Sequence, residues 1–231
     1  MTSLASLAGA AVAFDLDGTL VDTAPDLIGA LNMCLSREDL PALPVSSARH
    51  LVGRGAPFLI EHGFAEAGAP LDPDRLPELE ERFVADYLAR IAEESRPFPG
   101  CEAALDALAA AGARLAVCTN KRTDLSLALL GALGLTDRFD AIVGGDLVPA
   151  GKPDPALLML AIDRAGVDPT RAVMVGDAAT DTGAARNARV PSLVVDWGYT
   201  EVPPAELGGD ALVSRFADVP EAVAQLLARA R

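Results

Sequence analysis

The residues with the clearest chemical potential are two aspartates at the end of an apolar segment. The stretch "VAFDLDGTLVDT", residues 12–23, passes from apolar residues into Asp15 and Asp17. At positions i and i+2 of an extended strand, both side chains leave on the same face. Such a close pair repels itself unless a cation lies beside it or one carboxylate takes a proton. Mg²⁺ suits a site of this kind because it prefers carboxylates, waters and phosphate oxygens.

An aspartate pair also offers two catalytic roles. One carboxylate can attack phosphorus and form an acyl phosphate that water later hydrolyses. Its neighbour can protonate the leaving group and then activate that water. The simpler alternatives for this stretch are an Asp–Gly turn after a strand and a cap for the helix that follows.

Further polar residues come at the ends of later apolar segments. Thr119 and Asn120 end "RLAVCTN", Asp177 ends "AVMVGD", and Lys152 follows "DAIVGGD" after a short loop. A hydroxyl and backbone amides at a strand–helix junction can hold a phosphoryl group, although Thr and Asn there are also ordinary helix caps. Lys152 alone would be a solvated loop lysine. Asp181, one helical turn after Asp177, could orient Lys152 or a metal-bound water, or simply place negative charge at a helix N-terminus.

The elements that must position these side chains alternate in type. Nearly all-apolar segments predict strands, and helical patterns lie between the later ones. Alternation of this kind predicts an α/β fold with a Rossmann-like parallel-sheet core in three α/β/α layers. In such a sheet, ligands bind outside the carboxyl ends of the strands, so we expect the polar residues above to converge. The predicted strands lie within 10–17, 114–120, 140–146, 172–181 and 191–199, and the predicted helices span 101–111, 123–133, 155–165 and 180–188.

One long interval breaks this alternation. Almost a hundred residues separate the first strand from the second, and their pattern is helical, with Pro- and Gly-rich interruptions. The interval is too long for one crossover connection, so we expect an inserted all-helical cap subdomain over residues 22–96. The core domain would then comprise residues 1–21 and 97–231.

Composition and charge exclude several classes of function. The 231 residues carry a formal net charge of −14, which argues against a nucleic-acid partner and gives an anionic substrate no long-range attraction. No segment has the roughly 20 apolar residues that a membrane span needs, and the apolar N-terminus is better interpreted as leading into a core strand than as a signal peptide. Cys34, Cys101 and Cys118 are odd in number and lack metal-type spacing, which favours reduced thiols in the cytoplasm.

The motifs together resemble those of the haloacid dehalogenase-like (HAD) phosphatases over essentially the whole chain. They are "DLDGT" followed by "LVDT", then "TN", "KPDP" and "GDAATD", in that order. The resemblance implies that Asp15 is the nucleophile and a Mg²⁺ ligand. It implies that Asp17 is the general acid/base and offers its backbone carbonyl to the metal, that Asp177 completes the protein ligands, and that Lys152 pairs with Asp15 and the phosphoryl oxygens.

Secondary motifs are similar to those of the phosphoglycolate phosphatases within that family. They are "LVGRGAPFLI", "TNK", "GGD" and "WGY". The resemblance implies a phosphatase for a small phosphorylated metabolite, 2-phosphoglycolate first. We expect a monomer or homodimer, and the net charge and hydropathy predict neither a nucleic-acid nor a membrane partner. The alternatives are another substrate such as N-acetylmuramate 6-phosphate, and a phosphomutase like β-phosphoglucomutase. In "LVGRGAP", Arg54 could reach a substrate carboxylate or lie exposed in a helix–helix turn.

Overall fold

A parallel β-sheet forms the centre of the protein. The computed structural model describes residues 7–229. Its strands are β1 Ala11–Phe14, β2 Val21–Asp22, β3 Arg96–Pro97, β4 Arg114–Thr119, β5 Ala141–Gly144, β6 Ala172–Gly176, β7 Ser192–Val195 and β8 Ala211–Val213. Within this range, six of them form one sheet in the order β5-β4-β1-β6-β7-β8. Every pairing in this sheet is parallel, which confirms the predicted α/β class.

Helices cover both faces of the sheet. They are α1 Ala24–Arg37, α2 Val45–Ala48, α3 Ala56–Glu66, α4 Leu76–Ala89, α5 Cys101–Ala110, α6 Thr123–Ala132, α7 Ala156–Arg164, α8 Ala179–Ala188 and α9 Val219–Arg229. In the portion of the chain that is described, no helix combines the length and the apolar character needed to cross a membrane.

The alternation of side chains along β1 divides the core into two halves. Val12 and Phe14 pack into a cluster that includes residues of α5, α6 and α9, whereas Ala11 and Ala13 pack with residues of α7 and α8. Successive side chains of a strand point to opposite faces, so one short strand contributes to both halves. The predicted three-layer arrangement is therefore confirmed.

The four predicted crossover helices form close to their predicted bounds, and the five predicted sheet strands form as shorter segments inside theirs. Two elements near the C-terminus have no counterpart in the prediction. Strand β8 has only three residues and lies at the sheet edge, so its apolar signal is too short to stand out. Helix α9 did carry a signal, since Val219, Val223, Leu226 and Leu227 are buried at helical spacing.

The interval from residue 22 to residue 96 contains α1 to α4, whose apolar side chains form a cluster largely their own. Phe83 and Tyr87 of α4 are fully buried in it and pack with Leu31 and Ile60. The two ends of the interval meet in an antiparallel ribbon, where Val21 pairs with Pro97 in β2 and β3. The helical content matches expectation. The division into a cap of 22–96 and a core of 1–21 with 97–231 stays a prediction, and residues 1–6, 230 and 231 lie outside the described residues.

Candidate active site

The carboxyl ends of three central strands lie on the same side of the sheet, and a polar residue lies at or directly after each of these ends. Asp15 comes directly after β1, Thr119 is the last residue of β4, and Asp177 comes directly after β6. All three side chains are buried. Strand β1 lies between β4 and β6, so parallel pairing alone brings these residues together.

The turn after β1 is shaped by close contacts with Asp177. The Thr19 hydroxyl donates a hydrogen bond of 2.7 Å to Asp177 Oδ1. Gly18 has φ +83°, and a Cβ atom there would lie 2.7 Å from Asp177 Oδ2. Both the backbone conformation and the space therefore require glycine at this position.

Lys152 joins two carboxylates. Its Nζ lies 2.9 Å from Asp15 Oδ1 and 2.6 Å from Asp181 Oδ1, and the lysine side chain is completely buried. The second Asp181 oxygen, Oδ2, accepts a hydrogen bond of 3.0 Å from the backbone N–H of Ala178. Asp181 is thus bonded on both oxygens at the start of α8.

Asp17 forms an ion pair with a different lysine, Lys121. Lys121 Nζ lies 3.0 Å from Asp17 Oδ1, and the Thr23 hydroxyl donates a hydrogen bond of 2.7 Å to the same oxygen. The Lys121 ammonium also lies over the ring of Tyr87 of α4, 4.6 Å from its centroid. The sequence analysis offered only Lys152 as a counter-charge for the aspartate pair. In the structure each aspartate faces a different lysine.

The carboxylates carry more negative charge than the lysines beside them neutralise. Burial raises the pKa of Asp15 from 3.8 to about 8. Lys152 opposes this shift, whereas Asp181 and Asp177 add to it. Burial and Asp181 raise the pKa of Asp177 to about 6. Burial alone would lower the pKa of Lys152, but Asp15 and Asp181 more than offset it and raise that pKa above its usual value. A cation placed among these carboxylates would relieve the excess.

The donor set fits a hard divalent cation. Carboxylate oxygens of Asp15, Asp177 and Asp181 lie within 4.8 Å of one another. Oxygen ligands of this kind suit Mg²⁺ or a similar ion. Asp181 is less suited to direct contact than Asp15: both contact the Lys152 ammonium, but the second oxygen of Asp181 is also bonded, by the N–H of Ala178.

The side chain of Asn120 forms hydrogen bonds with backbone groups. Its side-chain oxygen accepts a hydrogen bond of 2.7 Å from the N–H of Lys152, and its amide nitrogen donates to the carbonyls of Gly53 and Lys152, each at 3.3 Å. It therefore ties the Lys152 loop to the loop that precedes α3. The Thr119 hydroxyl accepts a hydrogen bond of 3.2 Å from the N–H of Lys121.

Arg54 is the one predicted site residue that the structure does not bring to this cluster. Its side chain is exposed, and its guanidinium stacks on the ring of Phe58, 3.7 Å from the centroid. The neighbouring Gly53 and Gly55 line a cavity next to Asp17, whereas Arg54 does not.

That cavity, of about 80 Å³, lies between the sheet edge and the helices α1, α3 and α4. Its lining is apolar except where the carboxylate site and a few charged residues border it. Its lining includes Asp17, Phe83, Glu80, Asn120, Lys121 and Arg122.

Tyr199 is a second residue that the motif analysis did not assign to the site. Its backbone N–H donates a hydrogen bond of 2.9 Å to Asp177 Oδ2. Its hydroxyl accepts hydrogen bonds from the N–H groups of Thr23, at 2.7 Å, and Ala24, at 3.1 Å, and donates to Asp22 Oδ1 at 2.6 Å. Both Tyr199 and Lys121 belong to motifs, "WGY" and "TNK", that had served only as points of resemblance.

Comparisons with known proteins agree with this geometry. The model of the haloacid dehalogenase-like hydrolase family matches residues 10–189. A protein of Caulobacter vibrioides named phosphoglycolate phosphatase is 55% identical over 98% of this chain and 96% of its own length. A protein of the same name from Agrobacterium fabrum is 45% identical, with 93% and 92% covered.

Solved structures show the same architecture. A predicted phosphoglycolate phosphatase from Haemophilus somnus superposes with a TM-score of 0.83 at 31% identity, covering 91% of this chain and 96% of that one. CbbY from Rhodobacter sphaeroides, in complex with phosphate, superposes with a TM-score of 0.77 at 27% identity, covering 90% and 95%. The chain belongs to the haloacid dehalogenase-like hydrolases and is a phosphatase that acts on phosphate monoesters.

Proposed function

We propose that the protein is a Mg²⁺-dependent phosphatase for a small phosphorylated metabolite, with 2-phosphoglycolate as the first candidate. The observation that carries the proposal is the pair of strand-end aspartates, each ion-paired with its own buried lysine and adjoining Asp177. The substrate follows from the relatives named phosphoglycolate phosphatase.

In this proposal, Asp15 and Asp17 divide the reaction. A carboxylate oxygen of Asp15 attacks phosphorus, and the bond from phosphorus to the ester oxygen breaks as an aspartyl phosphate forms. Asp17 donates a proton to the departing ester oxygen. It then takes a proton from the water that attacks phosphorus in the aspartyl phosphate, which releases phosphate and restores Asp15.

The remaining residues stabilise charge and fix positions. The Lys152 ammonium, 2.9 Å from Asp15, supports the negative charge on the phosphoryl oxygens during both steps. Thr119 and the backbone around Asn120 border the place where those oxygens would lie, at the start of the segment leading into α6. Asp181 holds Lys152 in place.

The metal ligands in this proposal are Asp15, Asp177 and the backbone carbonyl of Asp17. A bound Mg²⁺ would neutralise charge on the phosphoryl group and on the carboxylates around it. The chain's own residues supply the nucleophile and the proton transfers.

The size of the cavity supports a small leaving group. Its 80 Å³ is well below the roughly 300–1,000 Å³ of sites for drug-sized ligands. A two-carbon acid suits this space better than the sugars of the alternative substrates, N-acetylmuramate 6-phosphate and the sugar phosphates of a phosphomutase. The three cysteines are all buried and unpaired, which supports action in the reducing cytoplasm.

The test is phosphate release from a panel of phosphorylated metabolites with Mg²⁺ and with EDTA. We expect 2-phosphoglycolate to be cleaved fastest and EDTA to stop the reaction. Asp15→Asn should lose at least about 10⁴-fold in kcat, because the amide is not a nucleophile. No release from any panel member, or full activity of Asp15→Asn, contradicts the proposal. Isomer formation from a sugar 1-phosphate without free phosphate would favour the mutase.

A further inference from the structure

Lys121 is a buried cation on the leaving-group side of the aspartate pair. Its side chain is only 5% exposed, and its Nζ lies 3.0 Å from Asp17 Oδ1, the carboxylate assigned to protonate the leaving group. An ion buried in this way is unfavourable unless anionic partners surround it. Because Asp17 must reach the ester oxygen in the proposed reaction, the atoms attached to that oxygen would lie near this ammonium.

The two buried lysines differ in how fully they are paired. Lys152 contacts two carboxylates, those of Asp15 and Asp181. Lys121 contacts one, that of Asp17, and otherwise faces the ring of Tyr87. An ammonium has three N–H donors, so Lys121 can bind a second anion without giving up Asp17.

Among the residues that the structure describes, the other cations near this cavity are less well placed for a substrate. Arg122 also lines it, but its guanidinium is paired with Asp124, with Nη2 2.6 Å from Oδ2. Asp124 and, less strongly, Glu80, which also lines the cavity, raise the pKa of Arg122. Arg54 is exposed on Phe58 outside the lining.

The rest of the cavity wall favours a short leaving group with a single charged end. Leu27, Val52, Leu59, Phe83 and Leu125 line a space of about 80 Å³ beside Lys121. A small, largely apolar space beside Lys121 suits a short carbon chain that ends in an anion. A neutral polar end could accept a hydrogen bond from Lys121, but the bond would lack the charge assistance that a carboxylate provides.

From this geometry, we propose that Lys121 determines specificity by binding a carboxylate on the leaving group, one carbon from the ester oxygen. The inference rests on the proposed function and assigns the carboxylate to Lys121 instead of Arg54. The substrate then carries two anionic groups, and each meets one buried lysine: the phosphoryl group at Lys152 and the carboxylate at Lys121.

The test compares two substrates that differ at one end. These are 2-phosphoglycolate and 2-hydroxyethyl phosphate, which have the same two-carbon chain with a carboxylate or a hydroxyl. The readout is the ratio of their kcat/KM values. In Lys121→Met we expect this ratio to fall on the order of 10- to 100-fold, the loss of one charge-assisted contact. Lys121→Arg keeps the charge and should retain most of the ratio.

Three results would overturn the inference. An equal loss on both substrates in Lys121→Met means that Lys121 acts only through Asp17. A selective loss in Arg54→Met, with the ratio of Lys121→Met unchanged, assigns the carboxylate to Arg54. If Lys121→Met does not fold, wild-type inhibition decides: glycolate should inhibit at least about tenfold more strongly than ethylene glycol, and equal inhibition contradicts the inference. No hydrolysis of 2-phosphoglycolate by the wild type would instead overturn the proposed function and this inference with it.

Discussion

At the residue scale, the main feature of the site is an excess of buried carboxylates over the cations that face them. Asp15, Asp177 and Asp181 lie within 4.8 Å of one another, and Lys152 is the cation between two of them. Burial penalises the charged form of a carboxylate, and each neighbouring carboxylate adds to that penalty. Without a metal ion, the folded protein therefore holds protons at this site that the unfolded chain would release.

This excess predicts how the stability of the metal-free protein depends on pH. The pKa of Asp15 rises from 3.8 to about 8 on folding, and that of Asp177 to about 6. Between those values the folded state binds more protons than the unfolded state, so stability falls as pH rises, by up to about 1.4 kcal/mol per pH unit for each group. The loss is absent below pH 3.8 and complete above about pH 8.

The measurement is urea unfolding in EDTA from pH 5 to pH 8, where we expect the free energy of unfolding to decrease. Added Mg²⁺ should stabilise the protein more at pH 8 than at pH 5, because it competes with protons for the same carboxylates. Asp15→Asn is the matched control, since it should flatten the dependence between pH 6 and pH 8. Rising stability of the metal-free wild type over this range would contradict the prediction.

At the element scale, one tyrosine connects the sheet edge to the first helix of the inserted interval. The backbone of Tyr199, in the loop after β7, supports Asp177, and its hydroxyl bonds the residues at the start of α1. Asp22 accepts from the same hydroxyl and also pairs with Arg49 at 3.2 Å. The position of the metal-ligand candidate is thereby linked to the segment where the chain leaves the sheet.

Replacing this hydroxyl should cost stability. Tyr199→Phe leaves the N–H groups of Thr23 and Ala24 without their acceptor, so we expect a loss of about 1–3 kcal/mol in the free energy of unfolding, measured in urea. Tyr87→Phe is the matched control, because the Tyr87 hydroxyl is buried and accepts no backbone N–H among the described residues. Its removal should change stability by less than about 0.5 kcal/mol or increase it. Equal losses in both variants would contradict this account.

The sheet could be predicted from the sequence because each long strand is an uninterrupted apolar segment. The end of a parallel strand fixes where the next residue lies, so the convergence of Asp15, Thr119 and Asp177 followed directly from the strand assignments. The contacts of Lys121 with Tyr87, and of Tyr199 with Thr23, could not be predicted in this way. They join the sheet edge to helices whose packing depends on many weak contacts rather than on a repeating pattern.

The same difference explains why the position of the Arg54 side chain could not be predicted from the sequence. A Gly-Arg-Gly loop indicates a mobile cation near a ligand, but the sequence does not show which way its side chain turns. In the structure the Phe58 ring, four residues later, provides a cation–π contact on the surface. Lys121 lies two residues after the buried Thr119, where the β4–α6 connection directs it into the interior.

At the scale of the whole molecule, the negative net charge is unfavourable for binding an anionic substrate at the site. The formal net charge of −14 is unfavourable for the approach of the proposed substrate, which carries a phosphate and a carboxylate, and the buried lysines of the site supply local positive charge. Buried ion pairs such as Lys121–Asp17 are screened by salt far less than the exposed charges of the surface.

Salt should therefore help this enzyme with an anionic substrate. Raising the ionic strength from about 0.01 M to 0.15 M shortens the screening length from about 30 Å to about 8 Å and weakens the repulsion. We expect kcat/KM for 2-phosphoglycolate to increase, by less than about tenfold. The comparison is 2-hydroxyethyl phosphate, whose lower charge should give a smaller increase. A decrease for 2-phosphoglycolate would show that the molecule attracts it at long range.

The two-stranded ribbon of β2 and β3 has a consequence for how this chain can change. Val21 pairs with Pro97 and Asp22 pairs with Arg96, so residues 23–95 form the loop of a single β-hairpin. The entropy of closing a flexible loop grows only with the logarithm of its length, about 0.6 kcal/mol for each doubling. Insertions, deletions and exchanges within that loop can therefore reshape the wall of the cavity while the strand ends keep their carboxylates in place.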